Sequence, residues 1–143
     1  MKVAIGCDHA GLTLKNAVIE HLKQRGFEIN DCGTYDSASC HYPVFAQKVA
    51  EAVTSGDAEK GILVCGTGVG MSMAANKIKG IRAACVSDCF SAEATRAHND
   101  ANIVCFGQRV VGEGLALKIV DTFLDTAFSN DERHIRRIEK IEG

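Results

Sequence analysis

The sequence predicts an α/β fold in which a Rossmann-like, five-stranded parallel sheet lies between two helical layers, a three-layer α/β/α sandwich. Apolar runs rich in Val, Ile, Ala and Cys recur without polar alternation, as in strands that are buried on both faces. Segments with helical periodicity lie between these runs, and parallel neighbouring strands need such crossover helices. The length of 143 residues fits a single domain over residues 1–143.

The predicted elements alternate along the chain. The strands are four strongly apolar segments and one weaker segment, at residues 3–7, 28–32, 61–65, 81–86 and 101–106. The helices have apolar residues at helical spacing, at about residues 11–25, 43–55 and 112–126, with a shorter stretch at 71–77. Gly26 suits the carboxyl-terminal cap of the first helix. A helical tail is expected at about residues 131–143, and ligands are expected at the carboxyl ends of the strands.

Composition and charge exclude several classes of partner. The formal net charge of −2 gives no global basic field, so we expect no nucleic acid partner. No apolar run approaches the roughly 20 residues that span a bilayer, and the first residues begin a strand, so we expect no membrane partner and a cytoplasmic protein. The seven cysteines include no Cys-x-x-Cys pair, which argues against a disulfide framework or a common zinc module.

The glycine-rich segment Gly66-Thr67-Gly68-Val69-Gly70 lies between a predicted strand and a predicted helix. Its backbone amides can converge at the helix N-terminus and form a cradle for an anion. A tight turn without a ligand is the simpler alternative. Asp88 follows at the distance expected of a dinucleotide fold, but Met71 occupies the place of the third glycine of that fingerprint, and the Gly-Lys-Ser/Thr of a P-loop is missing.

Three further groups of residues carry candidate chemistry. Cys65 ends a strand directly before the cradle, where amide dipoles favour a thiolate that can act as a base; packing is the alternative. His9 and His98 are acid/base candidates near the sheet edge, with surface or capping roles as alternatives. Arg133 and Arg137 lie four residues apart and suit a phosphate clamp, although a solvated charged face has the same spacing.

Several segments together resemble one family nearly end to end, the ribose-5-phosphate isomerase B family. They are Gly6-Cys7-Asp8-His9-Ala10-Gly11, Tyr42-Pro43, Cys65-Gly66-Thr67-Gly68-Val69-Gly70-Met71-Ser72, Ala74-Ala75-Asn76-Lys77, Gly80-Ile81-Arg82-Ala83-Ala84, His98-Asn99-Asp100-Ala101-Asn102 and Arg133-His134. The family is similar in kind to the isomerases of galactose 6-phosphate and allose 6-phosphate. The resemblance therefore implies an aldose–ketose isomerase that needs neither a metal nor a cofactor.

The resemblance also implies roles for single residues in converting ribose 5-phosphate to ribulose 5-phosphate through an enediolate. Cys65 would move the proton between C2 and C1, with Thr67 as a proton shuttle, and His98 would open the sugar ring. The implied donors to the enediolate oxygen are the amides of the turn, including Gly66, Gly68 and Gly70, together with Asn99.

The remaining implied roles concern substrate binding and assembly. Asp8 would hold sugar hydroxyls and Tyr42 would line the pocket. The implied phosphate ligands are His9, Arg109, Arg133 and Arg137. Family sites lie between two subunits, so the resemblance implies a homodimer, or a homotetramer built from it, in which His98, Asn99 and Arg109 come from the partner chain.

The sequence departs from the family pattern at two places. His41 stands where an acidic residue usually precedes Tyr-Pro, and Asp131-Glu132 replaces a usual Gly-Gly before Arg-His. These departures bear on substrate preference, so an isomerase of another aldose phosphate, such as allose 6-phosphate or galactose 6-phosphate, is the alternative activity. A noncatalytic sugar-phosphate sensor is the alternative of a different class.

Overall fold

The computed structural model of the protein describes all residues from Met1 to Gly143. Its strands are β1 (Lys2–Cys7), β2 (Glu28–Asp31), β3 (Lys60–Cys65), β4 (Ala83–Cys85) and β5 (Ile103–Gly107). Its α-helices are α1 (Leu12–Gln24), α2 (Tyr42–Thr54), α3 (Val69–Ala75), α4 (Cys89–Asn99), α5 (Glu113–Asp125) and α6 (Glu132–Glu142). None of the helices is both long and apolar enough to cross a bilayer. The predicted α/β fold is confirmed.

All five strands are parallel and lie in the order β2-β1-β3-β5-β4. From β1 the chain passes through α1 to β2, which is the outermost strand at one end of this order. From β3 it passes through α3 to β4, which is the outermost strand at the other end. The two paths diverge at the carboxyl ends of the neighbouring strands β1 and β3. Open α/β sheets bind ligands in the crevice that such a divergence creates.

Helices cover both faces of the sheet, so the strands are apolar on both sides. On one face α1 and α5 pack over the sheet, with Phe106 and Phe123 fully buried. On the other face α2 and α3 pack over Leu63 and Ile103. Burial of each large apolar side chain contributes about 1.5–3 kcal/mol. The two cores fix the strands, and with them the loops at their ends.

The structure adds α4, which the apolar pattern does not predict. The buried residues of α4 are Ala92, Thr95 and Arg96, so no stripe of large apolar side chains marks its inner face. The Arg96 guanidinium is instead satisfied by the backbone oxygen of Ala101 and the carboxylate of Asp100, each 2.8 Å from Nη1. A helix whose buried face consists of Ala, Thr and Arg lacks the large apolar residues that mark the other helices, which explains why the apolar pattern does not indicate it.

Of two predicted boundaries, one is as expected and one changes for a local reason. Gly26 caps α1 as expected, with φ of +88° and its N–H on the backbone oxygen of Lys23. Strand β4 is shorter than the predicted segment 81–86. It lies at the sheet edge, and the Arg82 N–H leaves the ladder to donate to the side-chain oxygen of Asn102 at 2.9 Å.

The two ends of the parallel strands matter for the site. We call the ends of β1 and β3, at Cys7 and Cys65, the carboxyl edge, and the opposite ends of the strands the amino edge. Helix α4 begins after β4 at the carboxyl edge and ends just before β5 begins, so its last residues lie at the amino edge. Helix α6 lies beside it, since the Ser129 N–H before α6 donates to the backbone oxygen of Ala97 at 3.1 Å.

A buried lysine fixes the loop that follows β2. Lys15 of α1 is fully buried, and its Nζ donates to the Asp31 carboxylate and to the backbone oxygen of Thr34, both at 2.7 Å. A buried ammonium is tolerated only when its donors are paired in this way. The pairing holds the start of the loop that leads to Cys40 and Tyr42 at the carboxyl edge.

Candidate active site

Cys65 is the last residue of β3 and is buried beneath the glycine-rich turn. Its Sγ accepts the backbone N–H of Gly68 at 3.0 Å. Gly68 has φ of +84°, and a β-carbon there would lie 2.8 Å from the backbone of Phe106, so the turn reaches this position only with glycine. The sulfur of Cys65 thus lies at the start of α3 with a backbone N–H directed at it.

Four of the other thiols have a different environment. Burial raises the pKa of Cys7 to about 11 and raises the pKa of Cys105 well above its ordinary value. Burial also raises the pKa of Cys32 and of Cys85. These four thiols therefore stay protonated near neutral pH and are poor proton acceptors.

Asp8 and His9 follow β1 and lie next to the turn after β3. Asp8 is buried, and its carboxylate accepts the Ala10 N–H at 2.9 Å. His9 is exposed, and its Nδ1 accepts the N–H of Cys40 at 3.3 Å. A ring nitrogen that accepts a hydrogen bond carries no proton, so in neutral His9 the proton is on Nε2. Nε2 is thereby set to donate to an anionic ligand.

Tyr42 and Arg109 complete the group at the carboxyl edge. Tyr42 begins α2, and its ring packs against Gly70, where a β-carbon would lie 2.6 Å from the ring. Arg109 follows β5, and a β-carbon at Gly66 would lie 3.2 Å from its Nη1. The Arg109 N–H also donates to the backbone oxygen of Gly66 at 3.1 Å.

The position of Arg109 differs from the expectation that it comes from a partner chain. Its side chain lies beside the glycine-rich turn of its own chain. The reason is topological, because β5 neighbours β3 and the loops after both strands leave from the same edge.

A second group of predicted residues lies away from Cys65, at the amino edge. It consists of His98 and Asn99 at the end of α4 and Arg133 and Arg137 on α6. The Asn99 backbone oxygen accepts from Nε of Arg82 at 2.9 Å. One chain therefore brings together Asp8, His9, Tyr42, Cys65, Gly66, Thr67, Gly68, Gly70 and Arg109, but does not bring His98, Asn99, Arg133 or Arg137 to them.

A cleft of about 610 Å³ also lies at the amino edge. Asn99, Arg82 and Glu142 are among its lining residues, and Cys65 is not. A cleft usually marks a ligand site. In this chain the matched donors and acceptors surround Cys65, and Cys65 does not line the cleft.

Arg133 and Arg137 of α6 differ in their surroundings. Asp131 caps the helix, and its carboxylate accepts the Arg133 N–H at 2.9 Å and the Arg133 guanidinium at 3.3 Å. These hydrogen bonds lower the pKa of Asp131, so it is charged at neutral pH. A ligand phosphate must compete with this carboxylate for Arg133, whereas Arg137 is exposed on the next turn.

Comparison with known proteins places the chain in a family. The family model described as Ribose/Galactose Isomerase matches residues 3–141. The chain belongs to this family. The resemblance seen in the sequence motifs is thereby confirmed.

Individual members of the family are similar over almost the whole chain. Ribose-5-phosphate isomerase B of Escherichia coli is 49% identical over 98% of this chain and 93% of its own. The structure of the Clostridium thermocellum ribose-5-phosphate isomerase B has a TM-score of 0.97 at 51% identity, covering 99% of this chain and 95% of that one. The Mycoplasma genitalium enzyme, solved with bound ribulose 5-phosphate, has a TM-score of 0.93 at 46% identity, covering 99% and 93%.

The structure adds two contacts that the family motifs do not reveal. The Cys40 N–H selects the tautomer of His9, and the ring of His134 lies against that of His98, with centroids 4.4 Å apart. His134 belongs to the Arg133-His134 motif, but nothing in the sequence indicates that its ring lies against His98. No group of three or more His, Cys, Asp or Glu side chains is arranged to hold a metal ion, and the metal-free reaction stays a prediction.

Proposed function

We propose that this member of the family interconverts D-ribose 5-phosphate and D-ribulose 5-phosphate, with Cys65 as the base. The observation that carries the proposal is the Cys65 thiol at the end of β3, which accepts the Gly68 N–H at 3.0 Å. The similarity to an enzyme solved with ribulose 5-phosphate supports this choice of sugar.

The first step opens the furanose ring. His98 takes the proton of the anomeric hydroxyl while the bond between C1 and the ring oxygen breaks, and the imidazolium so formed gives a proton to the ring oxygen. The open-chain aldehyde that results has an acidic hydrogen at C2. A neutral imidazole suits this step because it has one basic and one acidic nitrogen.

The second step moves hydrogen between two carbons. The Cys65 thiolate removes the proton at C2, and the electron pair forms the C1–C2 double bond of an enediolate. The thiol then returns a proton to C1, while the proton on the C2 hydroxyl moves to the oxygen at C1, with Thr67 as the shuttle. One group near C1 and C2 thus acts first as base and then as acid.

The developing oxyanion needs donors that are in place before the reaction. The amides of Gly66 and Gly70 and the side chain of Asn99 are the proposed donors, because the Gly68 N–H already donates to Cys65 Sγ at 3.0 Å. Asp8 and Tyr42 hold the rest of the sugar. Donors fixed by a rigid turn stabilise the intermediate without reorganising during the reaction.

The substrate phosphate is bound by hydrogen-bond donors from both edges. Nε2 of His9 and the guanidinium of Arg109 lie on the carboxyl-edge side, and Arg133 and Arg137 lie on the amino-edge side. Arginine suits this role because its planar fork of donors matches phosphate oxygens.

The site is therefore shared between two copies of the chain. The residues proposed from the amino edge lie opposite Cys65 in one chain, so a second copy must bring its amino edge to the carboxyl edge of the first. They are His98, Asn99, Arg133 and Arg137. A homodimer with two equivalent sites satisfies this requirement, and a homotetramer built from such dimers satisfies it as well. The seven free cysteines fit a reducing compartment, so we place the enzyme in the cytoplasm.

An assay of three sugars in EDTA tests the proposed activity. We expect rapid conversion of ribose 5-phosphate to ribulose 5-phosphate, with kcat/KM at least roughly tenfold above those for allose 6-phosphate and galactose 6-phosphate. Higher kcat/KM on either hexose phosphate would favour the alternative isomerase. Binding without turnover of all three would favour the sensor, and loss of activity in EDTA would contradict the metal-free reaction.

Replacing Arg137 by methionine tests the phosphate clamp. The loss of one charge-assisted hydrogen bond is worth about 1.5–3 kcal/mol, so kcat/KM is expected to fall by roughly 10–150-fold, mainly through a higher KM. The matched control is Arg136→Met on the same helix, because Arg136 is exposed and pairs with Glu132 at 3.8 Å. Equal effects of the two substitutions would contradict the assignment of Arg137.

A further inference from the structure

We propose that His134 is a positioning residue, which holds the ring of His98 in the orientation needed to open the sugar. The inference rests on the role proposed above for His98. It assigns His134 no contact with the substrate.

The two rings pack face to face at a tilt. Their centroids are 4.4 Å apart and their planes differ by 32°. His98 is exposed at the end of α4, whereas His134 is 8% exposed between α6 and α4. The buried ring is thus the fixed surface on which the exposed ring rests, and stacking at this distance restricts the rotation of His98.

His134 is itself fixed by the loop before α6. Its Nδ1 is hydrogen-bonded to the Ser129 hydroxyl at 2.9 Å. Ser129 in turn donates its N–H to the backbone oxygen of Ala97, one residue before His98, at 3.1 Å. The ring of His134 is therefore anchored to the same turn of α4 that carries His98.

Burial and the charges around His134 favour its neutral form. Burial and the neighbouring His98 lower the pKa of His134, together with Arg133 and Arg137, and Asp131 opposes them. His134 is therefore neutral near neutral pH. His98 can then accept the proton of the anomeric hydroxyl without facing a second positive ring, because two like charges at this distance repel.

The test compares two substrates that differ in their need for ring opening. Ribose 5-phosphate is mainly a furanose, whereas 4-deoxyribose 5-phosphate lacks the hydroxyl that closes the ring and is always open. We expect His134→Ala to lower kcat/KM for ribose 5-phosphate by about tenfold and to leave the value for the open-chain analogue within about twofold of wild type. His134→Phe keeps a flat ring, and its kcat/KM for ribose 5-phosphate is expected to lie within about threefold of wild type.

Three outcomes would overturn the inference. They are an equal loss on both substrates with His134→Ala, no loss on either, and a His134→Phe variant no better than His134→Ala. Thermal unfolding of each variant checks that α6 remains docked. Ser129→Ala keeps the imidazole of His134 but removes its hydrogen bond. We expect kcat/KM to fall by about threefold for ribose 5-phosphate only.

His98→Asn, assayed beside these variants, separates this inference from the proposed role of His98. An equal loss on both substrates with His98→Asn would remove the ring-opening role itself. A loss confined to ribose 5-phosphate with His98→Asn, but absent with His134→Ala, would leave that role intact and overturn only the inference about His134.

Discussion

Cys65→Ala is expected to lower kcat for ribose 5-phosphate by at least about 10³-fold, because it removes the only group proposed to move the proton between C2 and C1. The side chain lost is small, and Gly68 keeps its positive φ and its packing against β5. The free energy of unfolding should therefore fall by no more than about 1–2 kcal/mol. Steady-state kinetics and chemical unfolding of the same sample measure the two effects.

Exchange of the C2 hydrogen gives a second measure of the same step. The wild-type enzyme should incorporate solvent deuterium into the sugar at C1 or C2, and Cys65→Ala should not. Cys85→Ala is the control, since its Sγ donates to the backbone oxygen of Thr67 at 3.7 Å on the same turn, but burial raises its pKa. We expect kcat within about threefold of wild type for the control. Substantial turnover in Cys65→Ala would remove Cys65 from the mechanism.

The sequence is enough to predict the sheet and the carboxyl-edge half of the site. Strands β1, β3 and β5 are uninterrupted apolar runs, and no other regular structure of that length buries both faces. The turn from Gly66 to Gly70 is predictable as well, because glycines between a strand and a helix mark a close approach of backbone. Cys65 and Asp8 follow from their positions at the strand ends.

The amino-edge half of the site is much harder to predict. The sequence does not predict α4, whose inner face is held by Arg96, so it does not show at which end of the strands His98 lies. The pairing of His98 with His134 depends on how α6 docks, and the motif around His134 gives no sign of it. The side chain of Arg109 lies beside Gly66 of its own chain, and the sequence does not indicate this because loop residues carry no pattern that tells which neighbouring turn they cover.

Mixing inactive variants tests whether two chains share the site. Cys65→Ala is defective at the carboxyl edge and His98→Asn at the amino edge. A dimer of one chain of each kind has one site in which both halves are intact and one in which both are defective. Cys65→Ala mixed with Asp8→Asn is the control, because both defects are then at the carboxyl edge and no intact site can form.

The decisive measurement is the ribose 5-phosphate isomerase activity of Cys65→Ala and His98→Asn chains refolded together in equal amounts. Random pairing makes half of the dimers mixed, so about a quarter of all sites are intact and about a quarter of wild-type activity should return. The control mixture should stay at the level of its parents. Activity of the first mixture no higher than the mean of its two parents, although mixed dimers have formed, would contradict the shared site.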